Sequence, residues 1–152
     1  MALEEDMALL SVVAMFRDLD RDALRLLAFS SETRQLRAGD TLFRKDDESE
    51  YSFVIASGSI ALIGIEDKTT IVGAGTLIGE MALFSETRRP TTAIAREPTR
   101  LLRLSRQMFR RTLEEYPQAA ARIAADLKLR VRAMSDELAS VKDRLRGFDP
   151  ES

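Results

Sequence analysis

The chain has 152 residues, 45% of them hydrophobic, with 23 basic and 25 acidic side chains and a net charge of −2. That suffices for one domain with a real core and gives no bulk electrostatic attraction to nucleic acid or to an anionic membrane. It has no histidine and no cysteine, which removes the commonest general base, thiol nucleophiles, disulfides, and metal or iron–sulfur sites built on those ligands.

Residues 1–30 read as an N-terminal helical segment. Leu3, Met7, Leu10 and Ala14 recur at helical spacing, which predicts a docked amphipathic helix. Glu4, Glu5 and Asp6 precede the apolar stretch from Met7 to Phe16, unlike the basic start of a secretory signal, and the stretch is too short to span a bilayer. Asp18 or Asp20 is placed to cap a second helix running to about Phe29, with Leu19, Ala23, Leu26 and Leu27 on its buried face.

From residue 31 to 104 the texture changes to short β-branched and aromatic runs. Thr33–Arg37, Thr41–Arg44, Tyr51–Ser57, Ile60–Ile65, Thr69–Val72, Thr91–Ala95 and Arg100–Leu104 read as strands, with turns at Gly39-Asp40, Ser57-Gly58-Ser59 and Gly73-Ala74-Gly75. Many short, evenly spaced strands predict a closed or double-sheet β jelly-roll barrel, so the fold class is α+β. Asp46, Asp47, Glu48 and Glu50 lack the alternation and central glycine of a calcium loop and read as a solvated hairpin.

Residues 105–147 read as C-terminal helices. Ser105 is placed to cap the first, which holds Met108, Phe109 and Leu113, and Pro117 opens the second, with Gly147 as its stop. Arg103, Arg106, Arg110 and Arg111 form a basic cluster, expected to be a solvated helix surface rather than a DNA-contacting face. Leu127, Val131, Met134, Leu138, Val141 and Leu145 follow a four–three spacing over the helix 118–146, the pattern of a coiled-coil seam. It predicts a parallel homodimer; the alternative is a helix laid against its own barrel.

The segment Gly79–Ala93 carries the chemistry. A short helix start follows Gly79, and free N–H groups there attract an anion. An arginine fork about two turns on can close over the same anion. Glu80 would repel a bare phosphate but can accept from a sugar hydroxyl, so the set suggests a ribose phosphate.

This segment closely resembles the phosphate-binding cassette of cyclic nucleotide-binding domains. Gly79, Glu80, Ala82, Leu83, Arg89 and Thr92 match its pattern. Upstream, Leu19, Leu27, Arg37-Ala38-Gly39-Asp40, Phe43, Phe53-Val54-Ile55 and Gly58 follow the order seen in the family. The resemblance implies that Glu80 binds the ribose 2′-hydroxyl and Arg89 the exocyclic phosphate oxygens, with Arg89 facing ligand rather than core. It places Gly79, Glu80, Met81, Ala82, Arg89, Pro90, Thr91 and Thr92 around a cyclic mononucleotide, cAMP or cGMP, with no metal.

Three features depart from the family. Pro90 stands where a residue with a backbone N–H is usual, which removes one charge-assisted hydrogen bond worth about 1.5–3 kcal/mol; Thr91 keeps its own N–H. The turn Arg44–Glu48 lacks its common glycine. In transcription-factor members a Thr-Ser pair on the long helix contacts the base; here an ungapped match gives Met134-Ser135, so Ser135 keeps one polar partner and base preference is open.

The expected function is a regulatory, non-enzymatic sensor, cytoplasmic, that passes its signal through the C-terminal helices to an effector protein without touching nucleic acid or membrane. No DNA-reading, kinase, channel or cyclase segment is recognisable, so such a domain acts through another chain or as a piece of a larger one. The alternative is a degenerate domain that no longer binds nucleotide and serves as a dimeric docking module. A hydrolase using Glu80 as base finds no second acid, metal set or nucleophile in the sequence.

Overall fold

The computed structural model describes residues 2–64, 66 and 68–126. Helix α1 (Ala2–Ser11) is followed by a single 3-10 turn (Ala14–Phe16) and α2 (Arg21–Ser30). Ten strands come next: β1 (Glu32–Leu36), β2 (Thr41–Phe43), β3 (Glu48–Ser49), β4 (Tyr51–Ser57), β5 (Ser59–Ile63), β6 (Thr69–Gly73), β7 (Leu77–Ile78), β8 (Thr87–Arg88), β9 (Thr92–Ala95) and β10 (Thr99–Ser105). A 3-10 turn (Glu80–Leu83) lies between β7 and β8, α3 (Arg106–Glu115) follows β10, and residues 117–126 are helical.

The strands form two four-stranded antiparallel sheets, in the orders β1-β10-β4-β7 and β2-β9-β5-β6, with a separate β3–β8 ribbon. This is the expected double-sheet barrel. One core lies between the sheets and includes Phe43, Phe53, Ile55, Ile60, Ile78, Ala93 and Leu101. A second lies between the helices and the outer face of β4 and β10, where Leu10, Phe16, Leu27, Val54, Leu102, Leu104 and Phe109 meet. Because β4 is covered on both faces, its centre reads as an unbroken apolar run, Phe53-Val54-Ile55, instead of alternating. Phe53 and Ile55 point between the sheets and Val54 points at the helices.

Most expected strands stand within a residue or so of their predicted bounds. The two-residue strands β3, β7 and β8 were not anticipated, and Ile65 lies outside the described residues. Three helical expectations are corrected. Ala14 is exposed, because α1 ends at Ser11 and Val13 turns extended (φ −72°, ψ 127°), which resets the buried face to Val13, Met15 and Phe16. Asp20 occupies the N-cap position of α2, yet its side chain makes no capping hydrogen bond. Leu26 is only partly buried, and Ala28 takes its place beside Ala23 and Leu27.

Ser105 caps α3 as expected, its hydroxyl accepting from the Met108 N–H at 3.1 Å. Phe109 and Thr112 form the buried face of α3, with Met108 and Leu113 partly covered. The helix opened by Pro117 seats Ala119 and Ile123 in the same core. The seam from Leu127 to Leu145, and Ser135 with it, lies outside the described residues.

Asp6 on α1 is partly buried, and desolvation raises its pKa above the ordinary carboxylate value, with Arg100 opposing and Glu5 adding. A carboxyl whose folded pKa is raised costs no stability while protonated in both states. The cost appears as pH rises through the unfolded and then the folded value. Asp6→Asn is therefore expected to raise the thermal midpoint modestly at pH 7 and to leave it unchanged near pH 3. A calorimetric scan at the two pH values checks this; an equal shift at both would remove the titration as its cause.

Candidate functional site

Gly79 joins β7 to the 3-10 turn in the left-handed conformation, at φ 74°. Only glycine adopts this without strain. Its carbonyl accepts from the Ser52 hydroxyl on the neighbouring β4 and from the Ala82 N–H at 3.0 Å. Ala82 and Leu83 are buried, whereas Met81 projects outward with 52% exposure. Phe84 sets its ring edge-on to Phe109 of α3, with centroids 5.6 Å apart, and Arg106 of α3 donates to the Ala82 carbonyl at 3.4 Å. The turn that carries Glu80 is thus clamped to the first C-terminal helix.

Arg89 is the unusual residue. Its side chain is turned inward and is only 5% exposed, which corrects the expectation that it faces away from the core. Nη2 donates to the Tyr51 carbonyl at 2.7 Å. The guanidinium lies 4.2 Å from the centre of the Phe43 ring and 5.7 Å from that of Phe53, within cation–π range. Its Nη1 would stand 2.3 Å from a Cβ on Gly79, so the missing side chain of Gly79 makes the room that the arginine fills.

Nε and Nη1 are buried and have no hydrogen-bond partner, and Arg89 forms no ion pair among the described residues. Burial pushes the Arg89 pKa down, opposed by the charge of Asp47. A guanidinium nevertheless stays protonated at neutral pH. The arrangement is a buried cation with two idle donors, chemically suited to an anion.

The backbone around Arg89 is held by the neighbouring loop. Arg89 N–H donates to the Asp47 carbonyl and Asp46 N–H to the Arg89 carbonyl, each at 2.8 Å. Asp46 itself adopts φ 73°, so the turn that lacks its usual glycine puts an aspartate in the left-handed region, which Asp tolerates better than most residues. The Asp47 carboxylate accepts from Arg44 N–H at 3.0 Å. Among the described residues no group of three or more acidic side chains is placed to hold a metal.

The other predicted residues divide into two places. Glu80 is half-buried and lines a small cavity of about 170 Å³ with Val13, Ala14, Met15, Gly75 and Leu77. Pro90 and Thr91 line a different cavity of about 380 Å³ with Leu62, Gly64, Lys68 and Thr70. Thr92 accepts through its hydroxyl from Lys45 N–H at 3.0 Å, a structural bond to the β2–β3 turn. The structure therefore brings Gly79 and Arg89 together and sets Pro90–Thr91 beside a separate open volume.

The basic cluster is largely engaged. Arg103 pairs with Glu32 and stacks over Tyr51 at 4.3 Å; Arg106 donates to the Ser49 and Ala82 carbonyls; and Arg111 lies 3.9 Å from Glu115. Sequence reasoning missed the aromatic floor under Arg89. Phe43 and Phe53 read only as strand residues in the family's order, and their register opposite an arginine is a tertiary fact.

The profile of the cyclic nucleotide-binding domain matches residues 33–116, more than half of the chain. This chain belongs to that family. The domain is 30% identical over 129 residues to the cyclic AMP receptor protein of Thermus thermophilus, covering 82% of this chain and 60% of that protein. It is also 30% identical over 115 residues to lysophospholipase NTE1 of Chaetomium globosum, covering 72% of this chain and 8% of that one. A solved structure of a cyclic nucleotide-binding-like protein from Brucella abortus shares 40% identity and a TM-score of 0.67, covering 72% of this chain and 98% of that chain. This cyclic nucleotide-binding domain thus spans less than two thirds of the two curated relatives' own lengths.

Proposed function

We propose that this domain is a regulatory, non-enzymatic sensor of a cyclic mononucleotide, cAMP or cGMP. The observation that carries the reading is the Arg89 guanidinium, buried against Gly79 with Nε and Nη1 unpartnered. The ligand's phosphate draws that cation out of its aromatic seat and gives its idle donors charge-assisted bonds, while Glu80 accepts from the ribose 2′-hydroxyl. Displacement of the turn Glu80–Leu83 then reaches α3 through Phe84–Phe109 and Arg106, and so the helices that follow. The output is a cytoplasmic effector protein met by a homodimer formed through the C-terminal helix, without direct contact to nucleic acid or membrane.

A second reading, a docking module that binds no nucleotide, is favoured by Pro90, which has no N–H to offer a phosphate. Isothermal titration of the purified chain with cAMP, cGMP and a linear 5′-mononucleotide separates the two. Saturable binding of a cyclic form, absent for the linear one, supports the sensor. A folded protein that takes up no ligand at millimolar concentration leaves the docking module.

The ribose assignment has its own test. Glu80→Ala is expected to weaken binding of a cyclic ribonucleotide about tenfold to a hundredfold and to change binding of its 2′-deoxy analogue little, because a hydrogen bond to a charged group is worth about 1.5–3 kcal/mol. Equal losses for both ligands would contradict a bond to the 2′-hydroxyl.

A further inference from the structure

The β5–β6 hairpin pairs Ile60 with Val72 and Leu62 with Thr70. Continuing the period of two sets Gly64 opposite Lys68, and Gly64 N–H indeed donates to the Lys68 carbonyl at 2.9 Å. Ile60 is fully buried between the sheets, and Leu62 and Val72 pack against the same core. Thr70 and Lys68 therefore continue the inward face of β6 beyond the point where the core ends. Lys68 itself is exposed there. It forms no ion pair among the described residues.

What Lys68 meets there is the cavity of about 380 Å³ that it shares with Leu62, Gly64, Thr70, Pro90 and Thr91. The volume falls within the range of small-molecule sites. The bareness of Gly64 keeps it open, since the nearest group to a Cβ there would be the Thr91 methyl at 3.6 Å. Pro90 and Thr91 directly follow Arg89, so a phosphate held by Arg89 leaves the remainder of its ligand beside this cavity. Among the described residues Lys68 is the one charged side chain in the wall.

An ammonium group donates and never accepts. The Hoogsteen edge of guanine offers two acceptors, O6 and N7, whereas that of adenine offers N7 beside an amino donor that repels an ammonium. We infer that this cavity receives the base and that Lys68 makes the domain select a 6-keto purine, guanine, over adenine. The inference rests on the proposed function and names its ligand.

Titration of the full chain and of Lys68→Ala with cGMP, cIMP and cAMP tests it. Inosine keeps O6 and N7 and lacks the 2-amino group, so it separates Lys68 from a Thr91 hydroxyl as the selecting group. The expected result is that cGMP and cIMP bind about tenfold tighter than cAMP and that Lys68→Ala collapses both ratios toward one. Lys68 is exposed, so the variant is expected to fold, and an unchanged thermal midpoint verifies it. Equal or tighter binding of cAMP by the unaltered chain, cIMP following cAMP, or ratios that survive Lys68→Ala would each overturn the selection while leaving the sensor intact. No binding of any cyclic nucleotide would overturn both.

Discussion

Arg89→Met is expected to abolish cyclic nucleotide binding and, at the same time, to stabilise the domain by about 1–2 kcal/mol. Arginine brings two opposing terms to this position. Nε and Nη1 are buried without partners, and each such donor costs about 1–3 kcal/mol. Against that stand the bond from Nη2 to the Tyr51 carbonyl and the stacking on Phe43. Methionine has similar length, no donors, and a thioether that makes favourable contacts with aromatic rings. It keeps most of the packing and removes the idle charge. The Tyr51 carbonyl loses its partner, which cancels part of the gain. A net gain of that size raises the thermal midpoint by roughly 2–8 °C for a chain of this length. Urea unfolding of the two proteins, with nucleotide titration beside it, checks both halves. A Met variant less stable than the parent would mean that the guanidinium nitrogens are satisfied in solution.

The comparison bears on function because a residue that destabilises the fold is retained most readily where binding needs it. In a site of low effective dielectric, a cation acts on an incoming anion more strongly than it would in water. The ligand's phosphate supplies what the two nitrogens lack, so part of the binding free energy comes from relieving a defect of the free protein. Arg89→Ala is a poorer probe, since it also leaves a void beside Phe43 and mixes the two effects.

The sequence was a good guide wherever a local signal decided the outcome. Tyr51–Ser57 is bounded as read because β-branched and aromatic residues run up to a glycine turn. Ser105 caps α3 because a serine hydroxyl ahead of a helical stretch has few better uses. The glycine at position 79 was legible as a site of close approach, although what approaches it here is an arginine of the same chain. What escaped was set at a distance along the chain. Strand β7 exists only because Leu77 and Ile78 find Val54 and Phe53, and β8 only because Thr87 and Arg88 find Ser49 and Glu48. The inward turn of Arg89 depends on Phe43, Phe53 and Tyr51, none of them near it in sequence. The break at Val13 moved Ala14 off the buried face, because one extended residue undoes a helical period.

Gly79→Ala is expected to destabilise the domain by about 2–4 kcal/mol through two separable causes. The first is conformational, since φ of 74° costs an alanine roughly 1–2 kcal/mol whatever surrounds it. The second is collision, because the new Cβ would stand 2.3 Å from Nη1 of Arg89. An arginine on the surface would swing aside at little cost. This one is enclosed by Phe43, Phe53 and the Tyr51 carbonyl, so it must leave its seat or the turn must shift. A double-mutant cycle with Arg89→Ala isolates the second cause. In that background the collision is gone, and Gly79→Ala should cost only the conformational part. A coupling of 1 kcal/mol or more, read as the failure of the two changes to add, establishes that Arg89 occupies the inward seat in solution. Strict additivity would place the side chain elsewhere and remove the basis for a ligand that has to draw it out. Ligand affinity of the single Gly79→Ala variant then reports which way the arginine was displaced. Expulsion toward solvent would bring the cation nearer an incoming phosphate and tighten binding, whereas a shifted turn would carry Glu80 out of place and weaken it.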